Sequence, residues 1–174
     1  GATNAGGYLA VGQYTSHMTG IVSTLADDIA LGRARPALAA LGAVSAFTVG
    51  AMTTAITVNW ARRRQLRSRF AIPLLLEATL LLIFGLFGGT LAAYTPLATP
   101  AVVLLLCYLM GLQNAVITKI SSAEIRTTHV TGLITDIGLE LGRLIYVNRP
   151  DLGESVRANR ERLAVHGLLL GSFL

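Results

Sequence analysis

The sequence predicts an all-α protein, a polytopic transmembrane helix bundle with an internal repeat. Of its 174 residues, 53% are hydrophobic and 13% are charged, whereas about 25% are charged in an ordinary soluble domain. Mean hydropathy is +0.61. Long uncharged stretches alternate with short polar segments, and one histidine-containing motif occurs twice. This composition disfavours a disordered chain, a disulfide scaffold and a water-soluble enzyme.

Three stretches are long and apolar enough to cross a bilayer, which takes about 20 helical residues. Residues 36–60 carry no charge, begin with a proline that suits the first turn of a helix and end with a tryptophan that suits the membrane interface. Residues 70–92 form the second span, and residues 101–118 form the third. Between these two, the uncharged stretch 93–100 contains two prolines and predicts a loop.

Two shorter segments, residues 15–31 and 127–141, predict half-helices that are broken or re-enter the membrane. Each opens with threonine and histidine, contains a Thr-Gly pair and continues as a moderately apolar segment with acids. At ~1.5 Å per residue they reach only about 20–25 Å, which is short for a span. Residues 143–162 are polar and predict a loop or surface helix, and the apolar run 164–174 is short for a span. We therefore expect terminal helices to be missing from the sequence.

An internal repeat relates these segments at an offset of 110 to 112 residues, and two of the three histidines occupy the same repeat position. We therefore divide the single membrane domain, residues 1–174, into repeat one (1–60), a linking span (70–92) and repeat two (101–174). The matching stretches are 15–20 (TSHMTG) with 127–132 (TTHVTG), 31–33 with 141–143 (both LGR), and 1–5 (GATNA) with 111–115 (GLQNA).

The basic residues predict the orientation of the two repeats. Five arginines lie in the short loop Arg62–Arg69, which the positive-inside rule places in the cytoplasm. If segment 127–141 does not cross the membrane, the five arginines of segment 143–162 lie on the same side. The first half-helix then lies on the outer side and the second on the inner side, which is an inverted-topology repeat.

The chain resembles the YoaK family of bacterial integral membrane proteins, which is known as a domain of unknown function. The resemblance rests on His17-Met18-Thr19-Gly20, on the G-x-Q-N-A stretch at 111–115 and on the T-T-x-x-T-G stretch at 127–132, and it covers nearly the whole chain. It implies a multi-pass protein of the bacterial inner (plasma) membrane with six or seven helices. It implies no activity, and the family often has Asp where this chain has Asn4.

The repeated motif supplies the first candidates for a solute site. A half-helix that begins there directs free N–H groups and the positive end of its dipole at the membrane centre, and threonine hydroxyls cap such ends. Two imidazoles could bind a solute or relay protons. Alternatively, each histidine caps or bonds to a helix, and Thr-Gly is a close packing contact. The motif residues are His17, Thr19, Gly20, His129, Thr131 and Gly132.

Four further polar residues are candidates for the same site. Asn4 and Asn114 occupy matching repeat positions and, like Gln113, donate either to a solute or across helices. Glu77 lies seven residues past the start of its span, about 10 Å deep. Such a carboxylate either couples transport to protons or cations, or is a snorkelling or arginine-paired acid near the basic loop.

These features favour a transporter or channel for a small polar solute or proton, because inverted repeats place binding sites at broken helices. The alternatives are an accessory subunit that binds another membrane protein and a membrane enzyme acting on lipid or quinone. Expected partners are the bilayer, a solute, and a second copy or another membrane protein. We predict no nucleic-acid interface, cofactor or metal site, because the required motifs do not occur. Four acids late in the half-helices are expected to be solvated at the interface, with a binding role as the alternative: Asp27, Asp28, Asp136 and Glu140.

Overall fold

The computed structural model describes Tyr8 and residues 15–88, 98–120, 130–147 and 156–171. Within these ranges every regular element is helical, as predicted, and no strand occurs. The elements in chain order are α1 (Met18–Ala30), α2 (Ala34–Arg63), α3 (Ala71–Ile83), a π-helical turn (Phe84–Gly88), α4 (Ala98–Ile120), α5 (Val130–Leu144) and α6 (Arg160–Gly171).

Two described helices are long and apolar enough to cross a membrane, Ala34–Arg63 and Thr99–Ile120. They contain the predicted spans 36–60 and 101–118. The third predicted span, 70–92, contains the shorter apolar helix Ala71–Phe87, and its residues 89–92 lie outside the described residues.

The predicted loop 93–100 is wrong for its last three residues, because α4 already begins at Ala98. Pro100 therefore lies in the first turn of α4, where the missing N–H removes no helical hydrogen bond. The segment 143–162 divides between two helices and their connection. α5 continues to Leu144, the described residues 145–147 and 156–159 are not helical, and α6 begins at Arg160.

The backbones of α2 and α4 cross in direct contact. A β-carbon on Gly50 would collide with the carbonyl oxygen of Tyr108, and a β-carbon on Gly111 would collide with the carbonyl oxygen of Phe47. Glycine therefore sets the distance between these two helices, as small residues do where helices pack within membranes.

α5 packs along the second half of α2 through Gly138 and Gly142, which share one face of the helix. A β-carbon on Gly138 would lie 2.7 Å from Cβ of Ala51, and a β-carbon on Gly142 would lie 2.7 Å from Cβ of Ala55. The two glycines and the two alanines advance together along the chain, so α5 runs parallel to α2.

α3 lies against α4 and runs antiparallel to it. Leu80, Leu81 and Phe84 pack against the first half of α4. Glu77, which comes earlier in α3, instead bonds to Gln113 in the second half of α4. The order of contacts is therefore reversed between the two helices.

α1 and α5 both begin in one buried cluster, here called the central cluster. Met18 and Val130, the first residues of the two helices, belong to it together with Phe47 of α2. Phe47 lies ~20 Å from the start of α2, roughly half its length, at 1.5 Å per residue. The members of the central cluster are Met18, Val22, Ala43, Phe47, Cys107, Met110, Val130 and Ile134.

From the central cluster, α1 and α5 run toward opposite ends of α2. α1 ends at Ala30, and only three residues separate it from the start of α2. α5 ends near the other end of α2, where Arg143 and Arg62 line the same cavity. α6 packs against α5 and brings Leu170 back to the central cluster.

Candidate functional site

The first motif lies at the start of α1. His17 occupies the N-cap position, makes no side-chain cap bond and is exposed. Its ring lies over Gly20, where a β-carbon would collide with it. Thr19 is the second residue of α1 and lies inside the helix, so the expected threonine cap is wrong for α1. The carbonyl oxygen of Thr19 accepts a hydrogen bond from Ser23 Oγ at 3.0 Å.

The second motif begins α5 in the same register. Thr131 and Gly132 are the second and third residues of the helix, as Thr19 and Gly20 are in α1. The carbonyl oxygen of Thr131 accepts a hydrogen bond from Thr135 Oγ1 at 2.8 Å, which repeats the bond seen in α1. His129 lies outside the described residues.

A cavity of about 740 Å³ opens beside the start of α1. This volume falls within the range of about 300–1,000 Å³ that is usual for small-molecule sites. The cavity is lined by α1, by Tyr8 and by the first halves of α2 and α4. Most lining residues are apolar, and His17, Thr24 and Asp28 are polar members. Among the predicted site residues, His17 and Gly20 line this cavity.

Glu77 and Gln113 meet between α3 and α4. Gln113 Nε2 donates to Glu77 Oε1 at 2.8 Å, and Glu77 is only 8% exposed. No salt bridge among the described residues involves Glu77. The partner of Glu77 is therefore an amide, and the alternative in which an arginine pairs with this carboxylate is not observed among the described residues.

None of the other predicted site residues that the structure describes makes a hydrogen bond or ion pair to Glu77. Asn114 Nδ2 donates to the carbonyl oxygen of Met110 in its own helix at 2.7 Å. Asn4 lies outside the described residues. In the described ranges, no hydrogen bond or ion pair joins Glu77 to either motif. The same ranges hold no group of three or more His, Cys, Asp or Glu residues that could bind a metal ion.

Two acids that were expected to be solvated are buried, so that expectation is wrong. Asp28 and Glu140 are each 2% exposed. Arg33 pairs with Asp28 at 2.7 Å, and Arg143 pairs with Glu140. Glu140 Oε2 also accepts the backbone N–H of Asn159 at 2.8 Å. The sequence repeat could have predicted these ion pairs, because Asp28 aligns with Glu140 at an offset of 112 and an arginine follows each acid within five residues.

The fold and these contacts define a class of protein: the regular elements of its described residues are all helical, two of the helices are long and apolar enough to cross a membrane, and buried carboxylates pair with arginines. Compared with known families, residues 1–174 match the family described as Protein of unknown function (DUF1275). The chain belongs to this family, and its resemblance to the YoaK family is compatible with that membership. No match was found among curated proteins or among solved structures.

Proposed function

We propose that this protein is a transporter or channel for a small polar solute in the bacterial inner membrane, with its site where the two half-helices begin. The observation that carries the proposal is that Met18 and Val130, the first residues of α1 and α5, share one cluster halfway along α2. Two half-helices that start there and diverge point the positive ends of their dipoles at one place. Inverted-repeat transporters bind solutes in this kind of arrangement.

The positions of two cavities support this proposal. The larger, about 740 Å³, is lined by α2 residues between 36 and 43, and the smaller, about 280 Å³, by α2 residues between 58 and 62. Phe47 and the contact between Gly50 and α4 lie between these stretches. A transporter in a closed state is expected to have such an arrangement, with a cavity toward each end and packed residues between them that interrupt the path.

The charge distribution supports an orientation. Arg62, Lys119 and Arg143 line the smaller cavity at one end of the bundle. Toward the other end of α2 lie Arg33, paired with the buried Asp28 at 2.7 Å, and Arg35. Because the positive-inside rule counts arginines and lysines, the end with more of them is proposed as the cytoplasmic end.

Disulfide trapping tests the geometry of the half-helices. In a Cys107→Ala background, Met18→Cys and Val130→Cys are combined and oxidised in membranes, and the pair of positions 19 and 131 is scanned alongside. Bridging requires the two Cα atoms to lie within about 7 Å. We expect an intramolecular bridge in at least one of these pairs, because both helices begin in the central cluster.

The matched control pair is Ser23→Cys with Ile137→Cys. These positions lie five and seven residues further along two diverging helices, which adds ~18 Å to their separation at 1.5 Å per residue. We expect no bridge there. A bridge in the control pair, or none in either central pair, would contradict the arrangement.

Flux through proteoliposomes tests the function itself. We expect the full chain to admit at least one member of a panel of small polar solutes. His17→Ala should reduce this flux, because His17 lines the larger cavity. Ser23→Ala is the control, since Ser23 is exposed and its hydroxyl bonds within its own helix. Absence of flux, together with a membrane protein that stays bound through purification, would favour the accessory-subunit alternative.

A further inference from the structure

The smaller cavity, here called the basic-end cavity, lies where α2, α4, α5 and α6 meet. Its volume is about 280 Å³. A water molecule takes up ~30 Å³ of liquid, so the cavity has room for a group larger than a few waters. Side chains from all four helices and from the connection before α3 line it. It is therefore a site built by the tertiary fold.

Positive charge exceeds negative charge in the basic-end cavity. Five lining side chains are cationic and two are anionic, which leaves a formal excess of three positive charges. Both carboxylates already have partners: Asp136 accepts from Arg162 Nη2 at 3.4 Å, and Glu140 pairs with Arg143. The lining cations that have no hydrogen bond or ion pair to another described residue are Arg62, Arg69 and Lys119.

Two buried donors at the same cavity also lack partners. Asn59 is 7% exposed, lines the cavity, and its Nδ2 has no hydrogen-bond partner among the described residues. Nε of Arg162 is likewise buried without a partner there. Buried polar groups are almost always hydrogen-bonded in proteins. Because both unsatisfied groups are N–H donors, the ligand that completes the site is a hydrogen-bond acceptor.

We infer that the basic-end cavity binds an oxyanion of the phosphate class, carried either by a lipid headgroup or by a soluble solute. Arginine presents a planar fork of donors that matches phosphate oxygens, and lysine adds a compact positive charge. The amide of Asn59 supplies a further donor. This inference concerns binding alone, so it stands whether or not the anion crosses the membrane.

The chain carries a natural reporter for this site. Trp60 is its single tryptophan and directly follows Asn59. The indole of Trp60 is partly exposed. The centroid of its ring lies 5.4 Å from the guanidinium carbon of Arg64. Binding in the cavity is therefore expected to change the fluorescence of Trp60.

The experiment titrates the full chain in a maltoside detergent with inorganic phosphate, at constant ionic strength with chloride as the replaced anion. We expect a saturable change in Trp60 fluorescence. Lys119→Gln or Arg62→Gln should weaken the apparent affinity about tenfold, because each removes a charged contact to the anion. Arg67→Gln should leave the affinity unchanged, since Arg67 is exposed and does not line the cavity.

Nanodiscs distinguish the two sources of the anion. A phosphate response in nanodiscs of phosphatidylcholine alone would assign a soluble anion. A fluorescence change that follows the fraction of phosphatidylglycerol, without a phosphate response, would assign a lipid headgroup. Either outcome supports the site if Lys119→Gln weakens the response about tenfold and Lys119→Arg retains it. An unchanged response in Lys119→Gln would contradict the site.

Two further outcomes would overturn the inference. One is the absence of a saturable response to both phosphate and phosphatidylglycerol. The other is an equal loss in Arg67→Gln and Arg62→Gln, which would indicate attraction to general surface charge. Arg62 is exposed, so Arg62→Gln is expected to fold, and circular dichroism of the helices checks this.

Discussion

Replacing Gly111 by alanine should force α2 and α4 apart and lower the free energy of unfolding. The new β-carbon would collide with the carbonyl oxygen of Phe47, and no rotamer change can move a backbone atom out of the way. The helices must separate by more than about 1 Å at their crossing to restore ordinary van der Waals contact, and gaps of about 0.5–1 Å already forfeit a quarter to a half of the dispersion energy.

The magnitude follows from three contributions. Overpacking of this kind costs about 1–3 kcal/mol. The hydrogen bond from Thr54 Oγ1 to the carbonyl oxygen of Leu112, 3.0 Å long, lies beside the crossing, and its loss adds about 1 kcal/mol. Alanine regains about 1 kcal/mol through its higher helix propensity. We therefore expect Gly111→Ala to lose about 2 kcal/mol of unfolding free energy.

An SDS titration in mixed micelles, followed by far-ultraviolet circular dichroism, measures this free energy. The control is Gly167→Ala in α6, where a β-carbon meets no atom within 4 Å. Gly42→Ala is a second control, because its β-carbon would make an ordinary contact of 3.4 Å with Leu104 Cδ2. If Gly111→Ala unfolds at the same SDS fraction as these controls, the direct backbone contact between α2 and α4 is refuted.

Three further substitutions or reactions test buried groups. Glu140→Gln should lower the free energy of unfolding by about 2 kcal/mol, because Arg143 loses its buried anionic partner; the exposed Glu161→Gln should change the same SDS titration little. Glu77→Gln keeps a hydrogen-bond acceptor for Gln113, so the variant should fold normally. It should abolish only proton- or cation-coupled uptake. Unchanged coupled uptake would exclude a coupling role for Glu77. Cys107 is 0% exposed, so a membrane-permeant maleimide should label it only after SDS unfolding, and rapid labelling of the native protein would show that the central cluster is open.

Hydrophobic length was sufficient to predict α2 and α4, but it could not predict where they end. α2 continues past Trp60 to Arg63. Arginine in a last turn interacts favourably with the helix dipole, and Arg63 also lies 5.6 Å from the ring centroid of Tyr146. Tyr146 is distant from Arg63 in the sequence, so the residues around Arg63 alone could not predict this contact.

The sequence could predict which residues belong to the candidate site better than it could predict which of them contact one another. The repeat located the starts of α1 and α5, because histidine is rare in this chain. It could not show that Glu77 meets Gln113, since that contact depends on the antiparallel packing of α3 and α4. The sequence analysis also missed Gly138 and Gly142, through which α5 packs against α2. Their spacing indicates a packing face only once α5 is known to be helical there.

The Leu-Gly-Arg sequence occurs near the ends of α1 and α5 and takes two different structures. At residues 31–33 it terminates α1. Gly32 has a φ of +67°, the N–H of Arg33 donates to the carbonyl oxygen of Asp28 at 2.8 Å, and the N–H of Gly32 donates to that of Ile29 at 3.1 Å. This is the Schellman pattern, which favours glycine at the left-handed position. The reversal of the chain brings the Arg33 side chain back to Asp28 over five positions.

At residues 141–143 the same three residues stay helical within α5, where Gly142 packs directly against α2. Arg143 then reaches Glu140 over only three positions. The acids align at an offset of 112 and the arginines at 110, so the two-residue shift of the repeat falls between acid and arginine. A buried carboxylate such as Asp28 or Glu140 that is left without a positively charged partner lowers the stability of the fold by several kcal/mol. Both buried acids nevertheless have an arginine partner, five positions away for Asp28 and three for Glu140. The form of the helix ending therefore decides at which spacing an arginine can reach the buried acid.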